Sequence, residues 1–105
     1  MVNTKEIENK FIAEIKGEID NHSAAFIRKN IDDDYTKSKA DDIILDFSNV
    51  TFMDSSGIGL IMGRYKNLKP SGKLYIANAN SEIKRILTIS GIEKIAKIAS
   101  LEAIC

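Results

Sequence analysis

The stretch Phe52-Met53-Asp54-Ser55-Ser56-Gly57-Ile58-Gly59 sets two hydroxyls directly after a carboxylate and ahead of closely spaced glycines. Hydroxyls so placed can act as a nucleophile, cap a helix or accept a phosphoryl group. A serine nucleophile needs a base within hydrogen-bond reach and a third group to orient that base. The chain has one histidine, His22, distant in sequence, and Ser55 and Ser56 lack the Gly-x-Ser-x-Gly elbow. The pattern argues against hydrolysis, and no catalytic residue is expected. Capping fits better, because the side-chain oxygens of Asp54 and Ser55 can accept from the unpaired N–H groups of a first helical turn. Ser56 then falls at or next to a helix N-terminus. There the helix dipole and free N–H groups tolerate an anion. A phosphate on Ser56 would bring roughly −1.5 to −2 charge at neutral pH beside Asp54 and change whatever docks on this tip.

Gly57-Ile58-Gly59-Leu60-Ile61-Met62-Gly63 has the look of a loosened dinucleotide fingerprint after a strand. Its glycines come late, nine residues separating Phe47 from Gly57, and position 78, where an acid would hold the ribose, is Asn. No Gly-Lys-Ser/Thr follows to make a P-loop. Inside a helix Gly59 and Gly63 each cost about 1 kcal/mol relative to alanine. Four residues apart, they share a face and open a groove that serves either tight packing within the domain or the approach of a partner's backbone. One Cys and one His match no zinc pattern, and Asp32-Asp33-Asp34 lacks EF-hand spacing and reads as a solvated helix end. Neither a metal nor a cofactor is expected.

The elements around this stretch follow from periodicity. Residues 2–8 signal a weak edge strand. Phe11 to Lys16 alternate as a strand with one wet face, and Gly17 marks a turn. Asp20 or Asn21 caps a helix carrying Ala24, Ala25, Ile27, Ile31 and Tyr35, with Phe26/Ile27 and Asn30/Ile31 giving an inward face. The helix ends or frays at the acidic run 32–34, which opposes the dipole. Ile43 to Phe47 is a strand, about 55–68 a helix through Ile58, Leu60, Ile61, Met62, Tyr65 and Leu68, and Lys69-Pro70-Ser71-Gly72 a turn. Leu74 to Ala77 is a strand, and Asn78 to Ser81 supplies caps for a helix ended by Gly91. Ile92 to Ile98 is compatible with a last strand or a short helix. The order predicts an α/β domain with right-handed crossovers over a largely parallel sheet.

With 105 residues, the chain is expected to be one domain spanning 1–105, able to build a core without staples. Fifteen basic residues balance fifteen acidic ones, so nothing invites nucleic acid or an anionic membrane. Cys105 has no second cysteine to pair with, which suggests a reducing, cytoplasmic setting. No apolar run approaches the roughly 18 residues of a membrane span, and the N-terminus lacks a signal-peptide core.

Phe52-Met53-Asp54-Ser55-Ser56-Gly57-Ile58-Gly59, continuing through Met62-Gly63-Arg64-Tyr65-Lys66, resembles the anti-sigma factor antagonists of the STAS-domain family, most closely the sporulation type of endospore-forming bacteria. Gly17-Glu18-Ile19-Asp20-Asn21-His22-Ser23-Ala24 is similar to a second family signature and Ser90-Gly91-Ile92-Glu93-Lys94-Ile95 to a third. The resemblance implies the STAS fold, a single mixed, largely parallel sheet of about four to five strands with helices packed against it. It also implies a binding switch, not an enzyme. The unphosphorylated form binds an anti-sigma factor that is itself a serine kinase and releases the sigma factor; phosphorylation ends the interaction and a serine phosphatase restores it. The phosphorylated serine of the family stands immediately before the glycine, here Ser56. Asp20, Asp54, Ser55, Gly57, Ile58 and Gly59 map with it onto the partner-binding surface. The alternative is a STAS-type sensor module that binds a nucleotide or other small ligand.

Overall fold

The computed structural model describes residues 1–104; the lone thiol, Cys105, lies outside the described residues. Five strands, β1 (Val2–Ile7), β2 (Lys10–Ile19), β3 (Asp42–Met53), β4 (Leu74–Ala77) and β5 (Lys97–Ala99), form one sheet in the order β1-β2-β3-β4-β5. β1 runs antiparallel to β2, and every other neighbouring pair is parallel. The parallel pairs require crossovers, supplied by α1 (Ala24–Lys37), α2 (Ser55–Lys66) and α3 (Ser81–Ile89); α4 (Leu101–Ile104) closes the described chain. The expected mixed, largely parallel sheet is therefore present, with five strands.

Alternation along the strands sorts the apolar side chains onto two faces. Phe11, Ala13 and Ile15 of β2, Ile43, Leu45 and Phe47 of β3, and Leu74 and Ile76 of β4 meet Ile27, Ile31 and Tyr35 of α1, Leu60 and Ile61 of α2, and Ile83 and Leu87 of α3 in the main core. Ile12, Ile44 and Ala77 point to the opposite face, where Tyr75, Leu101 and Ile104 pack against them. The second face of β2, expected to be wet, is thus covered at Ile12 by α4, a four-residue helix with too little sequence signal to foresee. Each fully buried Ile or Leu contributes on the order of 1.5–3 kcal/mol relative to exposure, so the larger core dominates stability.

Several boundaries move. β2 does not turn at Gly17 but runs on to Ile19, absorbing register shifts on either side of Gly17, whose φ of 93° only glycine adopts without strain. β3 continues past Phe47 to Met53, held by pairing with β2 as far as Ile19↔Met53. α1 continues past the acidic run to Lys37 because each acid finds a partner: Asp32 meets Arg64, Asp33 meets Lys29 at 3.0 Å, and Asp34 accepts from the Thr4 hydroxyl at 2.7 Å. Phe26 is 60 % exposed, so Ile27, Ile31 and Tyr35 alone make the inward stripe. α2 stops at Lys66, capped by Asn67, although Leu68 still packs on the core. Residues 92–98 prove to be both a single 3-10 turn (Ile92–Lys94) and a strand, β5.

Tyr35 ties the end of α1 to the turn before β4. Its hydroxyl donates to the Asp41 carbonyl at 2.6 Å and accepts from the Lys69 N–H at 3.0 Å. The Lys69 ammonium lies 4.6 Å from the ring centroid and donates to the Ser38 and Ala40 carbonyls. Burial accordingly pushes the phenol pKa up. Tyr35→Phe would strand both backbone groups in a part-buried site, and a loss of about 1–3 kcal/mol with an unchanged m-value is expected in urea unfolding.

Candidate functional site

β2 and β3 end level with each other, Ile19 beside Met53, and the Asp54 N–H donates to the Ile19 carbonyl at 3.2 Å. The next residues on each strand, Asp20 and Asp54, therefore start two neighbouring turns from the same sheet edge, and α1 and α2 begin side by side. Of the two expected cap residues of α2, Asp54 takes the position: its backbone is extended and its carboxylate accepts from the Ser56 N–H at 2.8 Å. Ser55 and Ser56 are then the first and second helical residues. Ser55 is exposed and Ser56 half-buried, on the side facing α1. With its backbone N–H held by Asp54, Ser56 lines the cleft between the two helices.

At the head of α1 the cap position falls at Ser23, not at the expected Asp20 or Asn21. Ser23 precedes the helix and makes no side-chain cap, whereas Asp20 organises the turn before it, accepting from the His22 and Ser23 N–H groups at 2.9 and 3.0 Å. These bonds, that of Ser23 first and that of His22 next, lower the Asp20 pKa from its ordinary value of 3.8. His22 is 89 % exposed, its ring nitrogen 4.0 Å from Asp20, and it does not line the Ser56 cleft.

The three glycines of α2 differ. Gly57 is buried, and a Cβ there would run into Met53, with Ile19 at 3.4 Å, so its lack of a side chain seats the helix start on the strand ends. Gly59 and Gly63 are the opposite case, for a Cβ at either meets nothing within 4 Å. Packing inside the domain does not require them. They border an open cleft of about 390 Å³ between α1 and α2, lined on one side by Asn21, Ala24, Ala25 and Arg28 and on the other by Ser56, Leu60 and Arg64. Ile58 is half-buried against the core edge, and Phe52 and Met62 expose apolar surface nearby in sequence. The fingerprint glycines lie within the helix, not in the turn leaving the strand. Since β3 reaches Met53, that placement, and not their distance from the strand, is what separates them from a dinucleotide loop.

Three cleft residues were not among the expected site residues: Arg64, Arg28 and Asn21, the last expected only as a candidate cap. Arg64 is only 4 % exposed; its Nη1 donates to the Leu60 carbonyl at 3.3 Å and its Nε stands 2.8 Å from Asp32 Oδ1, without hydrogen-bond alignment to any acceptor. Desolvation, set against the attraction of Asp32, lowers its pKa. Arg28 on α1 and Asn21 in the turn before it are exposed at the cleft rim. Helical spacing from Asn21 through Ala24, Ala25 and Arg28 was the available signal.

Among the described residues no helix is long and apolar enough to cross a membrane. The STAS domain pattern matches residues 1–103. The anti-sigma F factor antagonist of Paenibacillus polymyxa is similar, 35 % identical over 88 residues that make up 83 % of this chain and 75 % of the relative. Among solved structures, the anti-sigma factor antagonist SpoIIAA in its unphosphorylated form superposes with a TM-score of 0.82 at 25 % identity, covering 99 % of this chain and 92 % of that one. The Bacillus cell fate determinant SpoIIAA in the phosphorylated form gives 0.73 at 25 % identity, covering 99 % and 96 %.

Two predictions follow from this geometry. Gly59→Ala and Gly63→Ala should each raise stability by about 1 kcal/mol, while Gly57→Ala lowers it; thermal and urea unfolding read all three. Because Asp20 has a lowered folded-state pKa, its ionised form adds stability at neutral pH that is lost as pH falls through the carboxylate range. Asp20→Asn should be less stable than the unsubstituted protein above about pH 5, with the gap closing below the ordinary carboxylate pKa, as melts from neutral to acid pH would read.

Proposed function

The chain belongs to the STAS domain family, and from that membership we propose that it is a phosphorylation-switched anti-sigma factor antagonist acting in the cytoplasm. It works as a regulatory binding protein and not as an enzyme. The unphosphorylated tip docks on an anti-sigma factor that is a serine kinase and releases the sigma factor; phosphorylation of Ser56 ends the contact, and a serine phosphatase restores it. The likeness to named anti-sigma factor antagonists supports the class of function.

One observation carries the residue assignment. Ser56 stands half-buried in the first turn of α2, lining an open cleft whose two glycines have no packing reason to be glycine. A partner's backbone can approach Gly59 and Gly63 closely, with Ile58 supplying apolar contact and Asp20, Asp54 and Ser55 the polar rim. Gly57 acts beneath that surface by seating it on Met53. The fold does not need a phosphate on Ser56, since Asp54 already satisfies the N–H, so the added charge falls on the docking face. A dianion there opposes association by repulsion and by the cost of desolvating it.

Ser56→Ala is expected to bind the kinase at near wild-type affinity and take up no phosphate. Ser56→Asp should bind at least roughly tenfold more weakly, a difference above about 1.4 kcal/mol. Calorimetric titration and intact-mass measurement after incubation with ATP and the kinase read both; phosphate still arriving on Ser56→Ala would move the site to Ser55. Stabilisation by nucleotide alone, with no transfer, would favour a ligand sensor instead.

A further inference from the structure

The two charged side chains that line the α1–α2 cleft are both arginines, Arg28 and Arg64. Arg64 forms its inner wall, 4 % exposed, with an Nε that lacks an aligned acceptor and Asp32 as its one ion-pair partner. Arg28 stands at the rim, exposed, and among the described residues it forms no ion pair. The two guanidiniums feel each other, for Arg28 disfavours the charged form of Arg64. Of the two arginines only Arg64 has a carboxylate partner, and Arg28 borders a cavity of about 390 Å³ along which Ala24, Ala25, Gly59 and Gly63 are too small to fill the space. Planar guanidinium groups bind phosphate through paired N–H donors.

We propose that this cleft is a phosphoryl-binding site, filled in cis by the phosphate of phosphorylated Ser56, with Arg28 as the cation that holds it and the Asn21 amide as an added donor. The inference rests on the reading of Ser56 as the modified residue and extends it to what the modified residue does. Side chains of a helix lean toward its N-terminus, so Arg28, one turn beyond Ala24, extends back toward the end of the cleft where Ser56 stands. Ser56 and Arg64 lie eight residues apart on α2, about 12 Å along the axis, so Arg64 supplies the field from the inner wall while Arg28 makes the contact. The phosphoserine then does two things: it adds charge to the tip, and it occupies the cleft bordered by Gly59 and Gly63. The phosphorylated form is a filled site as well as a repulsive one.

The test uses full-length protein with phosphoserine installed genetically at position 56, so it does not depend on any kinase recognising that residue. Phosphorus NMR follows the second phosphate ionisation in the presence of its other charged neighbours Asp20, Asp54, His22, Asp32 and Arg64. Arg28→Gln should raise that pKa by roughly half a unit or more, about threefold in the ionisation constant, and Arg28→Lys should recover part of the shift. Lys29→Gln, which removes an equal charge from the exposed pair with Asp33, should move it by no more than about 0.2 unit. The side-chain Nε–H signal of Arg28 should also shift on phosphorylation. Equal shifts for Arg28→Gln and Lys29→Gln, or an unmoved Arg28 signal, overturn the proposal. So does an Arg28 signal that responds to inorganic phosphate or ATP added to the unmodified protein but not to phosphoserine in cis. If this test succeeds and the kinase assay leaves Ser56 unmodified, the cleft stands and the switch reading fails.

Discussion

The hydrogen bond from the Asp54 N–H to the Ile19 carbonyl, 3.2 Å long, closes the parallel pairing of β2 and β3 at its last rung. Because the strands pair out to Ile19↔Met53, the chain leaves both at the same level, and the starts of α1 and α2 are forced side by side. Each strand is followed at once by an aspartate that captures backbone N–H groups of the coming turn, Asp20 on β2 and Asp54 on β3. A one-residue slip would reverse the faces of every side chain in β3 and put Ile43, Leu45 and Phe47 out of the main core. The hydrophobic core therefore fixes the register, and the register fixes the tip. The site is precise without being rigidly walled, since its position comes from strands that are buried beneath it.

How much of this could be read from residues alone follows the range of the forces involved. Strands that are short continuous apolar runs, such as Leu74 to Ala77, and helices with strong caps, such as Asn80 accepting from the Ile83 N–H at 2.8 Å, are specified by neighbours a few residues apart and were legible. The long ends of β2 and β3 were not, because Asn49 and Gly17 are poor strand residues held extended by pairing across the sheet. α1 read as ending early for a similar reason. Three consecutive carboxylates do oppose a helix end, but the partners that offset them come from the same turn (Lys29), the neighbouring helix (Arg64) and the edge strand (Thr4). Of the site, the serine pair, its cap and the exposed glycines could be picked out. The cations facing them across the cleft could not, since nothing in sequence spacing connects Arg28 to Ser56.

The Asp32–Arg64 pair joins a buried guanidinium to a carboxylate that is 30 % exposed, and ion pairs of this kind are poor sources of stability. Taking the guanidinium out of water costs several kcal/mol, and Arg64 recovers only part through one carbonyl contact and one off-axis carboxylate. A Leu or Met at position 64 would pack there at no such cost. What the pair supplies is placement: it clamps α1 to α2 near one end of the cleft, while small residues at Ala24, Ala25, Gly59 and Gly63 keep the space beyond it open. The cleft is thus a consequence of a bridge at one end and missing side chains along the walls.

Magnitudes explain how a large charge can be added without disturbing the fold. The N-terminus of α2 carries about half a positive charge, and the Asp54 carboxylate already answers it. A further charge of about −1.5 to −2 would then exceed what the helix start itself answers. At the half-exposed Ser56 it remains partly hydrated, so its interaction with Asp54 is screened to the order of 1 kcal/mol, small against a core with more than a dozen fully buried side chains. For a docked partner the balance differs, because closing the face strips that hydration and each exposed-state kcal/mol is multiplied as the effective dielectric falls. A phosphate at Ser56 that the free protein tolerates would thus be opposed only on contact, which is the property the proposed switch at a helix start requires.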